Sequence, residues 1–368
     1  MVEPETLQQL EINYVRWRGR RLLYFAGCDY FRLAQHPAVL QAATDGLEKF
    51  GLNVAASRLT TGNNPVYAAL ENTLARFFNV EAATLLASGY QTSAAVAQAL
   101  AGDFTHALAD ARAHPALLDA ARHLGCPLTQ FKHRDVEDFR RAVAACDPAA
   151  KIILLTDGMF SHDGSVAPLQ AYLKILPRTG LLLLDDAHGA GILGKNGRGT
   201  PELAGIPRQR VIQCITLSKA FGTYGGAVLG TTMLREKIFA RARLFVGNTP
   251  LPPPLAAAAL QSVNILTKRP GLRTRLHKNS SYLKSALRSA GYDIYDAPGP
   301  IIPLDGLSAD EISSLRKHLL KAGIYPSLLK YPGGAAEGYF RFVIASAHTR
   351  DHLDLLASVL TDFKAGRK

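Results

Sequence analysis

The sequence predicts an α/β fold: a mostly parallel sheet covered on both faces, followed by a smaller α+β domain. Near-continuous apolar runs of strand length, "KIILLTD", "GLLLLDD" and "VIQCITLS", recur between helical patterns, as strands buried on both faces do. Strand-like and helix-like segments alternate from residue 81 to residue 218. The prolines of "GNTPLPPPLAAAAL" then break the alternation, and the remainder mixes long helices with short strands.

Taken in order, residues up to about 51 read as an N-terminal arm with one helix, "HPAVLQAATDGLEKFG", bounded by His-Pro and Gly. A second helix is "NPVYAALENTLARFFN", with apolar residues at helical spacing. Strand "EAATLLAS" precedes helix "YQTSAAVAQALA", "THALAD" precedes "PALLDAARHLG", and "PLTQFKH" precedes "DVEDFRRAVAAC". The three apolar strands come next. After the prolines, one long helical stretch is expected through residue 291. Strands "YDIYDA" and "PIIPL", helix "SADEISSLRKHLLKAG", strand "YFRFVIA" and helix "TRDHLDLLASVLTDFKAG" complete the chain. The expected domains are an N-terminal segment 1–50, a large α/β domain 51–250 and a small α+β domain 251–368.

The 368 residues are 48% hydrophobic and 20% charged, a globular composition with a large core. Four scattered cysteines argue against a disulfide framework or a cysteine zinc site, no metal is expected, and a reducing cytoplasm suits them. The N-terminal stretch has no apolar core, so no signal peptide is expected, and no apolar run is long enough to span a bilayer. The net charge of +12 is spread along the chain except at "RWRGRR", Arg16 to Arg21. Spread charge fits a basic enzyme with a phosphate-bearing small partner better than a nucleic-acid binder.

Ligands of open α/β sheets bind beyond the carboxyl ends of the strands. Three such ends carry polar clusters: "TDGMFSHDG", "LLLLDDAHGAG" and "ITLSKAFG". An Asp, a His and a Lys in one crevice are what pyridoxal phosphate (PLP) requires. Its aldehyde condenses with a lysine amine, and its ring nitrogen needs a carboxylate to stay protonated.

At these residues the chain resembles the α-oxoamine synthase family of fold-type-I PLP-dependent transferases, whose large domain is built on a seven-stranded sheet. The resemblance runs over nearly the whole chain. It is carried by "SRLTTGNNPVYAALENTLARFF", "ASGYQTS", "DGMFSHDGSVAPL", "LLLDDAHGAGILGKNGRG", "TLSKAFGTYGG" and "FRFVIASAH". It implies that Lys219 binds the cofactor as a Schiff base and Asp185 pairs with the ring nitrogen. His188, helped by Ser161, would bond the ring hydroxyl, and His114 would stack on the ring. Ser88, Gly89, Tyr90 and Thr216 would hold the phosphate. Thr249 would reach the phosphate of the neighbouring subunit in a homodimer. Arg341 would grip the amino acid carboxylate, with Asp29 and Arg58 as further substrate residues. The implied reaction is a decarboxylative condensation of an amino acid with an acyl-CoA or acyl-carrier-protein thioester, L-alanine and a pimeloyl thioester being favoured. Other substrates in the same family form the second reading; an aminotransferase or a non-catalytic PLP-binding homologue is the third. The arginines of "RWRGRR" could attract CoA phosphates. Beside these, Asp186 reads equally as structural or functional, His162 and His348 as ordinary polar residues, and Arg198 as a loop stabiliser.

The family pattern fails at defined places. Glycines expected before the T-G are Ala55 and Ala56, an expected histidine is Tyr67, an expected asparagine is Cys28 or is lost, and Arg32 stands where a glycine is expected. The segment "LKYPGGAAEG" replaces a P-P-T-V-P loop. The cofactor residues are all present, so the changes fall on the substrate side.

Overall fold

A computed structural model describes residues 5–330 and 337–366; most of "LKYPGGAAEG" lies outside them. Strands β1 (Gln8–Gln9), β2 (Tyr14–Trp17) and β3 (Arg20–Leu23) form a small antiparallel sheet in the segment expected to be an arm with one helix. The β2–β3 turn is Arg18-Gly19, with φ of 48° and 75°. Two left-handed residues match the twist of a tight hairpin. The arginines that read as a charge run are therefore hairpin residues. Arg18 pairs with Glu5 and Arg21 with Glu11, each at 2.6 Å, and Arg20 donates to the Leu320 carbonyl.

The described chain divides into two compact units. The larger holds His36–Phe160 and Val166–Pro270. Its strands are β4 (Ala82–Leu86), β5 (His106–Asp110), β6 (Leu128–Phe131), β7 (Ile152–Asp157), β8 (Leu181–Asp185), β9 (Val211–Thr216) and β10 (Gly226–Gly230). They make a seven-stranded sheet of order β4-β10-β9-β8-β7-β5-β6, antiparallel only at β10. Alternate side chains serve opposite faces. Ile153, Leu155, Leu183 and Ile212 pack with the helices Gly89–Ala99 and Pro115–Ala121. Ile152, Leu154, Leu182 and Leu184 pack with Phe139, Leu169 and Tyr172 of the helices Val136–Ala144 and Leu169–Ile175. That double coverage explains the absence of polar alternation in these strands.

Strand β10 escapes a sequence reading because "GAVLG" follows the glycines of the preceding turn and looks like its continuation. The sheet needs Gly226 there: a Cβ would stand 2.7 Å from the Gly89 Cα and the Ser88 carbonyl.

The smaller unit combines residues 5–35, Ser161–Ser165 and residues 271–366. It contains β1–β3 and a second antiparallel sheet, β11 (Ile301–Leu304), β12 (Leu328–Leu329) and β13 (Tyr339–Val343), in the order β11-β13-β12. Helices Gly271–Ser289, Ala309–Lys321 and Arg350–Ala365 cover it, and the last two begin with capping boxes at Ser308 and Thr349. Leu283, Leu287, Ile302, Leu315, Phe340, Phe342 and Leu356 form its core.

Two expectations change here. The long helical stretch is two helices, Pro253–Lys268 and Gly271–Ser289, broken at Arg269-Pro270 because proline supplies no amide donor. The two compact units divide at this break, at Gln35/His36 and on either side of Ser161–Ser165. "YDIYDA" forms no strand. Side chains take two of its carbonyls: Arg288 Nε donates to Ile294 O, and Lys284 Nζ to Ala297 O and, just beyond the segment, to Gly299 O. Among the described residues no helix is long and apolar enough to cross a membrane.

Candidate active site

The carboxyl ends of β7, β8 and β9 lie side by side. Asp157 is in register with Asp185, and Asp185 with Cys214. A cavity of about 190 Å³ opens at these ends. Ser88, Gly89, Tyr90, His114, Asp185, His188, Thr216 and Lys219, all implied by the resemblance, line it, together with Asp157 and Ser218.

Lys219 follows β9 by three residues and is half-buried. The loop that carries it is tight. Gly222 N donates to Lys219 O, and Leu217 N to Gly225 O, each at 2.9 Å. Gly225 has φ +105°, a conformation L side chains rarely adopt, so a glycine is needed there. The lysine is thus held between a rigid strand and a closed turn.

Gly89 opens the helix Gly89–Ala99, and the Ser88 side chain does not cap it. The first amides of a helix have no intrahelical acceptor and attract anions. A Cβ on Gly89 would stand 2.6 Å from Thr216 Cβ, so only glycine lets the helix start approach the end of β9. Thr216 Oγ1 donates to Gly225 O at 3.2 Å and joins the same turn. Tyr90 is exposed, and its hydroxyl donates to Asp119.

His114 caps the helix Pro115–Ala121: its Nδ1 accepts from Ala116 N at 3.2 Å. A proton on the neutral ring must then lie on Nε2. Burial pushes its pKa down, so the ring stays neutral. Its backbone N–H donates to Asp157 Oδ2 at 2.8 Å. Asp157 is 5% exposed, and burial, reinforced by the neighbouring Asp185, holds its pKa well above the usual carboxylate range. Sequence reasoning missed this residue, although "TDGMFSHDG" marked a polar strand end. His188 is buried against the cavity. Asp185 Oδ1 accepts from Ala187 N at 3.0 Å.

Asp186, read equally as structural or functional, is structural. It is fully buried and absent from the cavity wall. It accepts from Thr200 N at 2.9 Å, Thr200 Oγ1 at 2.5 Å and Gln213 Nε2 at 2.6 Å. Burial pushes its pKa up to about 7. Arg198 Nε donates to Phe77 O, closing the glycine loop as expected.

The substrate expectations fare differently. Arg58 makes a buried two-pronged pair with Glu71 at 2.5 and 3.0 Å and bonds Asn63, so its donors hold the fold. Asp29 accepts from Leu33 N and Ala34 N at 2.9 and 3.0 Å, capping the short helix Leu33–Gln35. Both side chains thus have partners within the fold. Arg341 lies on β13 and donates from Nη1 to the Ser161 carbonyl at 3.0 Å; both belong to the smaller unit. Thr249 is exposed, two residues before Leu251, and does not line the cavity. Tyr67 is fully buried and donates to Leu251 O at 2.7 Å. His348 accepts from Ala345 N and bonds Tyr24 O, and His162 pairs with Asp305, both ordinary roles.

The residues present fit PLP. Gly89 leaves the gap a phosphate cradle needs, Lys219 offers a primary amine to an aldehyde, and Asp185 can keep a pyridine nitrogen protonated. Seven strands in this order, with the lysine on the turn after β9, are the architecture of fold-type-I PLP-dependent enzymes. The chain matches Aminotransferase class I and II over residues 26–360. It is 35% identical over 349 residues to the 8-amino-7-oxononanoate synthase of Methylococcus capsulatus, covering 94% of this chain and 89% of that one. Among solved structures, the serine palmitoyltransferase of Sphingomonas wittichii superposes with a TM-score of 0.90 at 26% identity, covering 98% and 91% of the two chains. The 8-amino-7-oxononanoate synthase of Francisella tularensis gives 0.80 at 25%, covering 94% and 98%. The chain belongs to the α-oxoamine synthases, the PLP-dependent acyltransferases within the aminotransferase class I and II family.

Proposed function

We propose that the protein condenses L-alanine with a pimeloyl thioester, carried on CoA or a carrier protein, releasing carbon dioxide, the thiol and an α-oxoamine. The observation that carries this reading is the convergence of Lys219, Asp185, His188, His114 and the Ser88–Tyr90 cradle on one cavity. Relatives named 8-amino-7-oxononanoate synthase support the choice of substrates.

PLP, when bound, supplies an aldehyde for the amino group and a ring that withdraws electrons from Cα. Lys219 would hold that aldehyde, and its free Nζ would take the Cα proton of the amino acid. Asp185 holds the proton of the ring nitrogen. The amides of Gly89 and Tyr90 and the Thr216 hydroxyl bind the phosphate dianion. His114 gives the ring a neutral flank, and His188, helped by Ser161, bonds the ring hydroxyl. Arg341 anchors the substrate carboxylate, for which a planar guanidinium is suited.

A homodimer belongs to the same reading, with Thr249 reaching the partner's phosphate. Exposed Leu40, Leu47, Leu52 and Leu59 offer apolar surface to a second copy. Four free cysteines agree with a reducing cytoplasm. Cys28, Arg32, Ala55 and Tyr67 favour a second reading, an α-oxoamine synthase with a different amino acid or acyl group.

Thiol release from pimeloyl-CoA, matched one to one by carbon dioxide and requiring L-alanine, tests the first reading. Faster release with glycine or serine, or with a short or long acyl-CoA, selects the second. No thiol release with any pair overturns both.

A further inference from the structure

The helix Gly271–Ser289 carries no Asp or Glu. His277, Ser281, Lys284 and Arg288 recur along it at spacings of four, three and four, which places them on one face. That face does not meet open solvent alone. With Ser285 and the segment around Asp296 it lines a largely polar pocket of about 430 Å³ in the smaller unit, open to solvent at the exposed Ser281, Ser285 and Arg288.

Lys284 is the unusual member. It is 4% exposed, and its Nζ donates to Ala297 O at 2.7 Å and Gly299 O at 2.6 Å. Among the described residues no carboxylate lies within ion-pair distance of it. A buried charge is ordinarily matched by an opposite one. Two carbonyls satisfy two N–H groups but leave the net charge uncompensated. Arg288 adds a second cation. Its one acidic partner among the described residues, Asp296 at 2.9 Å, is 93% exposed and well screened. Burial first, then Arg288, pushes the Lys284 pKa down to about 8, against the weaker pull of Asp296 and Asp163.

We propose that this cavity binds a phosphate-type oxyanion, with Lys284 and Arg288 supplying charge and Ser281 and Ser285 supplying hydroxyl donors. Serine hydroxyls and cationic nitrogens are the donors a tetrahedral oxyanion accepts from. The volume exceeds that of a lone phosphate, so the ligand is either free phosphate or the phosphate group of a larger molecule. The site lies outside the cofactor cavity and does not depend on which substrates the enzyme uses.

The test uses PLP-saturated holoenzyme, so that the cofactor's own phosphate cradle is filled. Inorganic phosphate and adenosine 3′,5′-bisphosphate are titrated against sodium chloride at matched ionic strength, following melting temperature and binding heat. A saturable rise of about 2–4 °C beyond the chloride control is expected. Tighter binding of inorganic phosphate identifies the free ion as ligand; tighter binding of the bisphosphate identifies an organic phosphate. Arg288→Gln and Ser281→Ala should each weaken the dissociation constant about tenfold. Ser281→Asp places a fixed carboxylate in the cavity. It should raise the melting temperature without phosphate and remove the phosphate response. No saturable shift with either probe, or a shift unchanged in Arg288→Gln and Ser281→Asp, overturns the proposal.

Discussion

The strand ends that form the cofactor cavity and the positions where the family pattern fails behave in opposite ways. At the strand ends, side chains retain the family's identities and point into one cavity. At two of the failing positions, Ala55 and Arg32, a side chain stands on a backbone of the kind that favours glycine. Ala55 has φ +49° and Arg32 φ +54°, left-handed values at places where glycine is expected. Holding a residue other than glycine there costs on the order of 1 kcal/mol. Tyr67 likewise serves the chain path, fixing Leu251 near Thr249.

Lys219→Ala tests the first region most severely. It should lower turnover by at least about 10³-fold, the scale of a lost positioned base. Mass spectrometry after borohydride treatment should find no PLP attached to the chain; attachment at another lysine would break the assignment. Next comes Asp157, which joins His114 to the strand ends. Asp157→Ala removes the acceptor of the His114 amide and should weaken PLP binding about tenfold, the effect of roughly one buried hydrogen bond. Asp157→Asn keeps an acceptor oxygen and should retain most of the affinity. Equal PLP dissociation constants in both variants would remove the positioning role.

The residues bonded within the fold predict effects on stability. Glu71 accepts from Arg58 and from Leu85 N, and Arg235 lies at 3.3 Å. Glu71→Gln leaves a buried guanidinium unpaired and should destabilise by about 3–5 kcal/mol in denaturant titration, with substrate KM unchanged. A large KM change would return Arg58 to the substrate side. In the smaller unit, burial pushes His348 down to about 3. Its Nδ1 accepts an amide proton, so protonation sets a donor against a donor. Folding favours the neutral ring, and its contribution is full above pH ~6.5 and lost as pH falls toward ~3. His348→Gln should flatten stability over that window; an unchanged acid profile would assign the acid loss elsewhere. The smallest effect is expected from Ala55→Gly, which restores glycine at a left-handed position and should stabilise by no more than about 1 kcal/mol. A clear loss of stability would show that the Ala55 methyl packs usefully.

Much of the fold was legible because burial on both faces leaves a plain trace. β7, β8 and β9 are continuous apolar runs that end in polar residues. The β1–β3 sheet was not legible, because its strands are short and arginine-rich and their partners lie across a hairpin. "YDIYDA" had the composition of a strand, yet Lys284 and Arg288 satisfy two of its carbonyls from a helix. Among site residues, those on strand ends and helix starts could be located from their immediate neighbours in the chain. Asp157 could not be given a role, because its significance depends on Asp185 across the sheet and on the His114 amide, 43 residues away.

The sequence by itself determined the cofactor chemistry. An amine after a buried strand, a carboxylate at the end of another and a glycine opening a helix are local arrangements, dictated by short-range backbone geometry. Only the tertiary structure decided which ionic groups remain available. Arg58 is claimed by Glu71, Asp29 by the amides after it and Asp186 by Thr200 and Gln213, while Lys284 is left with carbonyls alone. Charge is satisfied by whatever packing brings within about 3 Å, and packing is set by the whole core, not by the residues alongside in the chain.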